Sequence, residues 1–369
     1  MLFLDLSKQY LKIKGKIDQR LQKVINEGRF ILGPEVIELE KQLALFVGVK
    51  HCITVGNGTD ALTVALMGLG VRQGDEVITT PFSFAATTEA ICLLGAVPVF
   101  VDIEPDTYLI DPSKIFAAIT KKTKVILPVS LFGQCADFNK INDIASMKNI
   151  SVIEDAAQSF GATYLGRRSC GLSTLACTSF FPSKPLGCYG DGGACFTNDD
   201  EIAAKLKQIR VHGQTGRYQH TLLGVNSRLD TLQAAVLLEK LAIFPEEIAW
   251  RNKIANCYET LLGKEIKVPT IHPNNTSVYA QYTIETTQRE ELKKYLQIQG
   301  IPTAVHYTQP LYRQPAFQKH CRIVGSMKNT EHAVKQVLSL PMHAYLYKKE
   351  ACLVADAIKE FSGITCISN

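Results

Sequence analysis

The sequence has no stretch of about 18 uninterrupted apolar residues, so it offers no segment for a membrane-spanning helix. Its 11 cysteines include no Cys-x-x-Cys pair and no grouping with histidine that is typical of a metal site. The formal net charge is +5, and no run of lysine and arginine resembles a nucleic-acid-binding surface. The N-terminus lacks the charged start, apolar stretch and cleavage site of a signal peptide. We therefore expect a cytoplasmic protein of enzyme size, with no metal ion and no membrane or nucleic-acid partner.

Strand-like and helix-like segments alternate along the first 200 residues. This repetition predicts an α/β fold in which a mostly parallel sheet lies between helices and is built with right-handed crossovers. Apolar strands are predicted at 51–55, 76–80, 97–101, 124–129, 177–181 and 193–197, with a further strand that ends at Asp155. No internal repeat or low-complexity linker interrupts the pattern.

Further along, a helix is predicted from Asp230 to Leu241, and Pro245 is predicted to begin another that runs through Leu262. We expect the chain to pass there from a large domain, residues 1–244, to a smaller C-terminal α/β domain, residues 245–369. The second domain is predicted to contain strands at 279–285 and 301–307 and helices at 289–299 and 348–361.

One lysine, Lys184, stands between Ser183 and Pro185 in the stretch TSFFPSKPLGCYGDGGACF, residues 178–196. Aromatic residues precede it and a glycine-rich turn follows it. A lysine in water has a pKa of about 10.4 and is protonated and inert. A partly desolvated lysine at a strand end has a lowered pKa and attacks carbonyl groups. The alternative for an isolated Ser-Lys-Pro is an ordinary surface lysine.

About thirty residues upstream, an apolar strand ends in two carboxylates, Glu154 and Asp155, and an amide follows at Gln158. Ligand-binding residues of open α/β sheets collect beyond the carboxyl ends of the strands. An acid at that place and a lysine on a later loop match the needs of pyridoxal 5'-phosphate. This cofactor requires a lysine for its Schiff base and an acid that keeps its pyridine nitrogen protonated.

A phosphate site is indicated earlier in the chain, in the turn Gly56-Asn57-Gly58-Thr59-Asp60. Two glycines allow a tight path, and the helix that follows presents unpaired N–H groups and the positive end of its dipole. Thr59 adds a hydroxyl donor. An ordinary strand-to-helix turn with a polar cap is the alternative.

Four segments together resemble one family: GNGTDAL at 56–62, VIEDAAQSFGA at 152–162, SFFPSKPLGCYGDGG at 179–193 and GVNSRLDTLQAA at 224–235. They are similar to the sugar-nucleotide aminotransferases of the DegT/DnrJ group, which are fold-type-I enzymes dependent on pyridoxal phosphate. ILGPEVIELE near the start and PVSLFGQCADF at 128–138 are most similar to the members that aminate C3 of UDP-2-acetamido-2-deoxy-3-oxo-glucuronate. The resemblance implies L-glutamate as the amino donor, a homodimer, and a role in diaminouronate synthesis for bacterial surface polysaccharide.

The resemblance also implies roles for individual residues. Lys184 would form the Schiff base and later move a proton as acid and base, and Asp155 would pair with the pyridine nitrogen. The other implied cofactor contacts are Gly58, Thr59 and Ser179 at the phosphate, Phe84 stacked on the ring, Gln158 at its phenolic oxygen, and Asn226 offered across the dimer interface. Arg228, His306 and Tyr307 are the implied substrate-facing residues, and the resemblance implies that His306 and Tyr307 are also offered across the interface.

Each of these roles also has a structural alternative, and four residues illustrate this. On spacing alone, Phe84 is more typical of a core residue than of a cofactor contact. Ser179 also suits a satisfied strand hydroxyl, and His306 a structural histidine bonded to backbone. Arg228 could pair with Asp230, which we interpret as a helix cap. The family pattern places proline directly after His-Tyr, whereas this chain has Thr308 there, so the backbone is less restricted.

Three other functions remain possible from the sequence. A sugar dehydratase of the same fold is disfavoured because that branch resembles proteins with histidine in place of Lys184. An aminotransferase for a C4-keto sugar or a dTDP-3-keto sugar would share the same catalytic residues. A non-catalytic paralog that binds the cofactor or a sugar nucleotide is disfavoured because Lys184, Asp155 and Gln158 are all present.

Overall fold

The computed structural model describes residues 1–263 and 265–363. The helices of these residues are α1 (Leu6–Glu27), α2 (Pro34–Val47), α3 (Gly58–Gly68), α4 (Ala85–Leu93), α5 (Pro112–Ala118), α6 (Phe138–Lys148), α7 (Asp200–Ile209), α8 (Thr231–Leu262), α9 (Arg289–Ile298), α10 (Lys328–Gln336) and α11 (Lys348–Phe361). Short 3₁₀ turns lie at Leu131–Gly133 and Leu311–Arg313. Within the described ranges, no helix combines the length and apolar character that crossing a membrane requires.

The strands follow the predicted alternation closely. They are β1 (His51–Val55), β2 (Glu76–Thr79), β3 (Val97–Phe100), β4 (Thr123–Ile126), β5 (Ser151–Asp155), β6 (Thr163–Tyr164), β7 (Arg167–Arg168), β8 (Leu175–Ser179), β9 (Gly193–Thr197), β10 (Gln214–Gly216), β11 (Gln219–His220), β12 (Tyr282–Glu285), β13 (Arg322–Ile323) and β14 (Val337–Leu340).

A central sheet of eight strands organises the described part of the chain, in the order β1-β9-β8-β5-β4-β2-β3-β13. Strand β9 runs antiparallel to both β1 and β8. The remaining pairings, from β8 across to β13, are all parallel. The predicted α/β class with a mostly parallel sheet is therefore confirmed.

Helices cover both faces of this sheet, and β5 shows how its residues divide between them. Ile153 packs in a core cluster with α3, α4 and α7, whereas Val152 packs in a cluster with α5 and α6. Successive side chains of a strand point to opposite faces. The two carboxylates that follow, Glu154 and Asp155, therefore also face opposite sides of the sheet.

Helix α8 is one continuous helix through Pro245, so the prediction of two separate helices is wrong. Proline removes one helical hydrogen bond, but Leu241 and Phe244 before it are buried in a core shared with α2. Ile248 after it packs against the same core, so the helix is anchored on both sides of Pro245. The division into residues 1–244 and 245–369 stays a prediction, and it would cut α8. Residue 264 and residues 364–369 of the second predicted domain lie outside the described residues.

The C-terminal part has its own core. The antiparallel pair β12–β14 packs with α9, α11 and the second half of α8. The predicted strand at 301–307 is wrong, because this segment makes a single bridge, Ala304 with Ser339. Pro302 supplies no N–H for a ladder, and the chain continues towards the lysine-containing edge of the large sheet.

Candidate active site

The lysine loop, residues 180–192, connects the antiparallel strands β8 and β9. It begins at the carboxyl end of β8, next to the carboxyl end of β5 where Asp155 lies. The amino end of α3 reaches the same edge, because Gly58 packs against Ser179 at the end of β8. The strand order thus gathers the predicted lysine, acid and phosphate-binding turn at one edge of the sheet, as expected for an open α/β fold.

The side chain of Lys184 is half-buried. Burial lowers the pKa of its amine, and the nearby charge of Asp155 opposes this shift only in part. Among the described residues, Lys184 Nζ has no hydrogen-bond partner. An amine with a lowered pKa and no competing bond is suited to attack a carbonyl group.

Asp155 is buried and receives two hydrogen bonds. The Thr87 hydroxyl donates to Oδ2 at 2.8 Å, and the Ala157 N–H donates to Oδ1 at 3.2 Å. Burial raises the pKa of this carboxyl group, while Thr87, Ala157 and the charge of Lys184 act in the opposite direction. Lys184 is the cationic group near the Asp155 carboxylate. A protonated ring nitrogen of the cofactor would give this carboxylate a second cationic partner.

Gln158 links the acid strand to the segment that contains His306 and Tyr307. Its Nε2 donates to the Tyr307 hydroxyl at 3.1 Å, and its Oε1 accepts from the Phe132 N–H at 2.8 Å. The Phe84 side chain is 56% exposed, with its ring 6.5 Å from that of Tyr307. The core alternative for Phe84 is therefore not what the structure shows, and its ring is available to a planar ligand.

The turn before α3 forms a narrow cradle. A Cβ atom on Gly58 would lie 2.6 Å from Ser179 Cβ, so only glycine fits without displacing that residue. The Asn57 side chain caps α3 by accepting from the Asp60 N–H. The N–H groups of Gly58 and Thr59 precede the first helical carbonyl acceptors and remain available to an anion.

His306 lies beside this group, bonded through Nδ1 to the Ser339 hydroxyl at 2.9 Å and not to a backbone atom. Burial and the charge of Lys184 both lower its pKa, which favours the neutral imidazole. Asp230 occupies the N-cap position of α8 as expected, but its side chain makes no capping hydrogen bond.

Asn226 and Arg228 stand apart from this group. No hydrogen bond or ion pair within the described ranges joins either side chain to it, and none joins Arg228 to Asp230. Asn226 is exposed and Arg228 is half-buried. Their loop runs beside the turn before α3, where the Gly56 N–H donates to the Ser227 hydroxyl at 2.9 Å.

The sequence analysis did not predict the residues that form hydrogen bonds with Asp155 and Gln158. Thr87 lies one turn into α4 from Phe84, and nothing in a single sequence distinguishes it from the neighbouring Thr88. The contact of the Phe132 N–H with Gln158 is a backbone contact, for which the sequence carries no signal.

The residues present fit pyridoxal phosphate: a half-buried lysine, a buried acid at the same edge of the sheet, an exposed aromatic ring and a helix N-terminus across from Ser179. This fold and site define a class, the aminotransferases that depend on pyridoxal phosphate. Residues 11–359 match the model of the DegT/DnrJ/EryC1/StrS aminotransferase family. The chain belongs to this family, and the predicted cofactor, pyridoxal phosphate, is confirmed at that level.

Characterised relatives align over nearly the whole chain. UDP-2-acetamido-2-deoxy-3-oxo-D-glucuronate aminotransferase from Pseudomonas aeruginosa is 59% identical, covering 96% of this chain and 99% of its own length. UDP-N-acetyl-3-dehydro-alpha-D-glucosamine 3-aminotransferase from Acidithiobacillus ferrooxidans is 38% identical, covering 96% of each chain.

Solved structures agree with the fold. A DegT DnrJ EryC1 StrS aminotransferase from Brucella abortus has a TM-score of 0.96 at 44% identity, covering 98% of this chain and 100% of its own. DesV from S. venezuelae, solved in complex with a ketimine intermediate, has a TM-score of 0.95 at 38% identity, covering 98% of both chains.

Proposed function

We propose that this protein transfers an amino group from L-glutamate to C3 of a UDP-linked 2-acetamido-3-keto uronic acid. The observation that carries the proposal is the 59% identity to the Pseudomonas aeruginosa enzyme over 96% of this chain. The product would serve diaminouronate synthesis for surface polysaccharide, in the cytoplasm. The arrangement of Lys184, Asp155 and Gln158 supports a catalytic protein over one that only binds.

Pyridoxal phosphate, when bound, supplies an electron-withdrawing ring that stabilises negative charge on the substrate carbon. Lys184 would hold the cofactor and then, through Nζ, take the proton from the donor's α-carbon and deliver one to C3 of the sugar. Its lowered pKa supports this exchange, since a neutral amine accepts the proton. Asp155 would keep the ring nitrogen protonated.

The remaining contacts would orient the cofactor. Gly58, Thr59 and Ser179 would bind the phosphate, since the cradle at the start of α3 offers N–H and hydroxyl donors. Phe84 would stack on one face of the ring. The Gln158 side chain, fixed by the Phe132 N–H, would direct its amide to the phenolic oxygen.

We further propose a homodimer with a shared site. Asn226 is exposed and bonds no atom of its own chain's lysine site, which suits a residue that reaches a second subunit. The nearby apolar side chains of Tyr218 and Leu223 are 79% and 89% exposed. A partner subunit that covers them would remove this surface from water.

On the substrate side, Arg228 would bind a carboxylate through a bidentate pair, because its guanidinium is half-buried and has no ion pair with Asp230. His306 and Tyr307, which lie beside Gln158, would contribute further contacts to the substrate. A uronic acid carries the carboxylate that Arg228 requires, whereas an ordinary 3-keto hexose does not.

Two alternatives stay open to test. Relatives at 38% and 35% identity are named for other sugars, including a dTDP-3-amino sugar transaminase of Streptomyces venezuelae and a GDP-perosamine synthase of Caulobacter vibrioides. A Geobacillus stearothermophilus relative at 46% identity is named a pleiotropic regulatory protein. The second alternative is therefore a protein that binds the cofactor or a sugar nucleotide without turnover.

The test is an absorbance spectrum of the protein loaded with pyridoxal phosphate, taken before and after L-glutamate. We expect glutamate to replace the visible band with an ultraviolet band, because the amino group is retained on the protein between substrates. The UDP-3-keto uronic acid should then restore the visible band faster than the matching UDP-3-keto-N-acetylglucosamine. Lys184→Ala is the control and should show neither change.

Each outcome separates the candidates. Equal recovery with both sugars would contradict the uronic acid assignment, and recovery only with a 4-keto or dTDP sugar would favour the sister enzymes. A visible band that does not respond to glutamate or to other amino donors would indicate a binding protein. Absence of any cofactor band would overturn the proposal.

A further inference from the structure

A fully buried lysine of α8, Lys240, reaches the lysine loop. Its relative exposure is 0%, and it is the only lysine classed as buried in residues 1–263 and 265–363. Its Nζ donates a hydrogen bond to the Gly187 carbonyl at 2.6 Å and lies 4.4 Å from the centre of the Tyr189 ring. In the same ranges, no carboxylate oxygen lies within 4 Å of this amine. Its strongest interactions are therefore with the loop that contains Lys184.

A buried amine is unfavourable for folding unless its interactions offset the loss of water. Burial lowers the pKa of Lys240 to about 8, although the charge of Glu247 opposes the shift. A methionine would fill the same space without this penalty. The hydrogen bond to the Gly187 carbonyl therefore explains why a lysine stands at this position better than packing does.

Gly187 is in direct contact with the segment that precedes Lys184. A Cβ atom on Gly187 would lie 2.6 Å from the carbonyl oxygens of both Phe181 and Pro182. The Lys184 N–H donates to that same Phe181 carbonyl at 2.9 Å. A displacement of Gly187 would therefore shift the turn from which the Lys184 side chain projects.

The loop has a second attachment to α8. Gln233 Oε1 accepts from the Tyr189 N–H at 2.9 Å. Gln233 and Lys240 are seven residues apart, about two helical turns, and lie on the same side of α8. Of the two attachments, Lys240 is the one at Gly187, nearer to Lys184 in the chain. Without it, Gln233 would still hold the loop at Tyr189.

We infer that Lys240 is a positioning residue, whose buried amine fixes the Gly187 carbonyl and thereby holds Lys184 where the cofactor requires it. The inference rests on the proposed role of Lys184 and adds a residue that touches neither cofactor nor substrate. It predicts that Lys240 affects the properties of Lys184 itself, and not only the stability of the fold.

The test compares Lys240→Met, which keeps the length and apolar stem but removes the donor, with Tyr258→Phe. Tyr258 is a matched control, because it is also fully buried on α8 and donates to a backbone carbonyl, that of Pro341, at 3.0 Å. For Lys240→Met we expect kcat to fall about 10²-fold, as for a small misplacement of a reacting group, with KM for glutamate little changed.

A second readout is independent of turnover. In Lys240→Met, the pH at which the visible absorbance of the bound cofactor changes should shift, and the cofactor should dissociate faster. Tyr258→Phe should lower Tm without either effect. Lys240→Gln keeps an N–H donor, so it should lie between Lys240→Met and the wild type, and it provides the same comparison if the methionine variant does not fold.

Unchanged spectra and kcat in both Lys240 variants, with only Tm lowered, would overturn the inference and leave the proposed function intact. Failure of the wild type to bind pyridoxal phosphate would instead overturn the proposed function, and this inference with it.

Discussion

Glu154 and Asp155 are neighbours in the chain, are both buried, and both have a pKa raised mainly by burial. Their surroundings nevertheless differ. Glu154 accepts from the hydroxyls of Ser130 and Ser169 and from the Cys170 N–H, each at 2.8 Å. Among the described residues, the Asp155 side chain accepts two hydrogen bonds, and the charge of Lys184 lies close to it.

A carboxylate has about four acceptor sites, so Glu154 is nearly saturated by its own chain, whereas Asp155 keeps capacity for a ligand. The pleat of β5 produces this difference, because it turns one side chain towards the core around α5 and α6 and the other towards α4. A pair of acids at a strand end is thus divided into one that stabilises the fold and one that is free for chemistry.

The largest effect that tests this division is on turnover. Asp155→Asn should lower kcat by at least about 10³-fold, near 4 kcal/mol, because a neutral amide cannot hold the ring nitrogen protonated. The fold should persist, since Asn keeps an oxygen that can accept from the Ala157 N–H. The measurement is single-turnover kinetics with glutamate, with circular dichroism to check folding. A loss below tenfold would show that Asp155 does not play this role.

Glu154→Gln should produce the opposite result. It should lower the free energy of unfolding by about 1–3 kcal/mol, because the amide nitrogen would face hydroxyl or N–H donors that now lack an acceptor. Urea denaturation of the cofactor-free protein measures this loss, and kcat should stay within about threefold of the wild type. A stable variant with little activity would reverse the assignment of the two acids.

The raised pKa of Glu154 also predicts that the destabilisation caused by Glu154→Gln depends on pH. Because burial raises the pKa of folded Glu154 above 4.5, the folded state keeps its proton where the unfolded state has lost it. The stability that this group contributes therefore falls as pH rises from about 4.5 through the folded pKa. The destabilisation caused by Glu154→Gln should be larger at the low end of that range than at the high end. A difference that grows with pH would contradict this sign.

The sequence predicts the features of the site that depend on chain order. The alternation of strands and helices placed Asp155, Lys184 and the turn at Gly58 at strand or helix ends. The carboxyl ends of strands that run in the same direction lie at one edge of a sheet. The hydrophobic pattern also located most strands to within a few residues, since buried strands read as short apolar runs.

Features that depend on packing between distant segments could not be predicted. Pro245 indicated a break in a helix whose continuity depends on core contacts made on both sides of it. The sequence alone does not distinguish the surroundings of Glu154 from those of Asp155, because these depend on residues that other elements bring into contact with each carboxylate. Nothing in the sequence marks Lys240 as buried, and only the path of the lysine loop reveals its partner at Gly187.

The smallest expected effects come from removing single hydroxyl groups that donate to Glu154 and Asp155. Thr87→Val removes the hydroxyl that donates to Asp155, and Ser130→Ala removes one that donates to Glu154. Loss of the Thr87 bond should raise the pKa of Asp155 further and weaken its hold on the ring nitrogen, lowering kcat about tenfold, near 1.4 kcal/mol.

Ser130→Ala should instead lower the free energy of unfolding by about 1 kcal/mol and leave kcat unchanged, because Glu154 retains two donors and faces away from the cofactor side. Thr87→Val is also expected to lose some stability, since the Thr87 hydroxyl additionally bonds Ser83 at 2.9 Å. The discriminating quantity is therefore kcat, measured for both variants under conditions where both are folded. Equal kcat values would mean that the two faces of β5 differ less in function than their hydrogen bonds indicate.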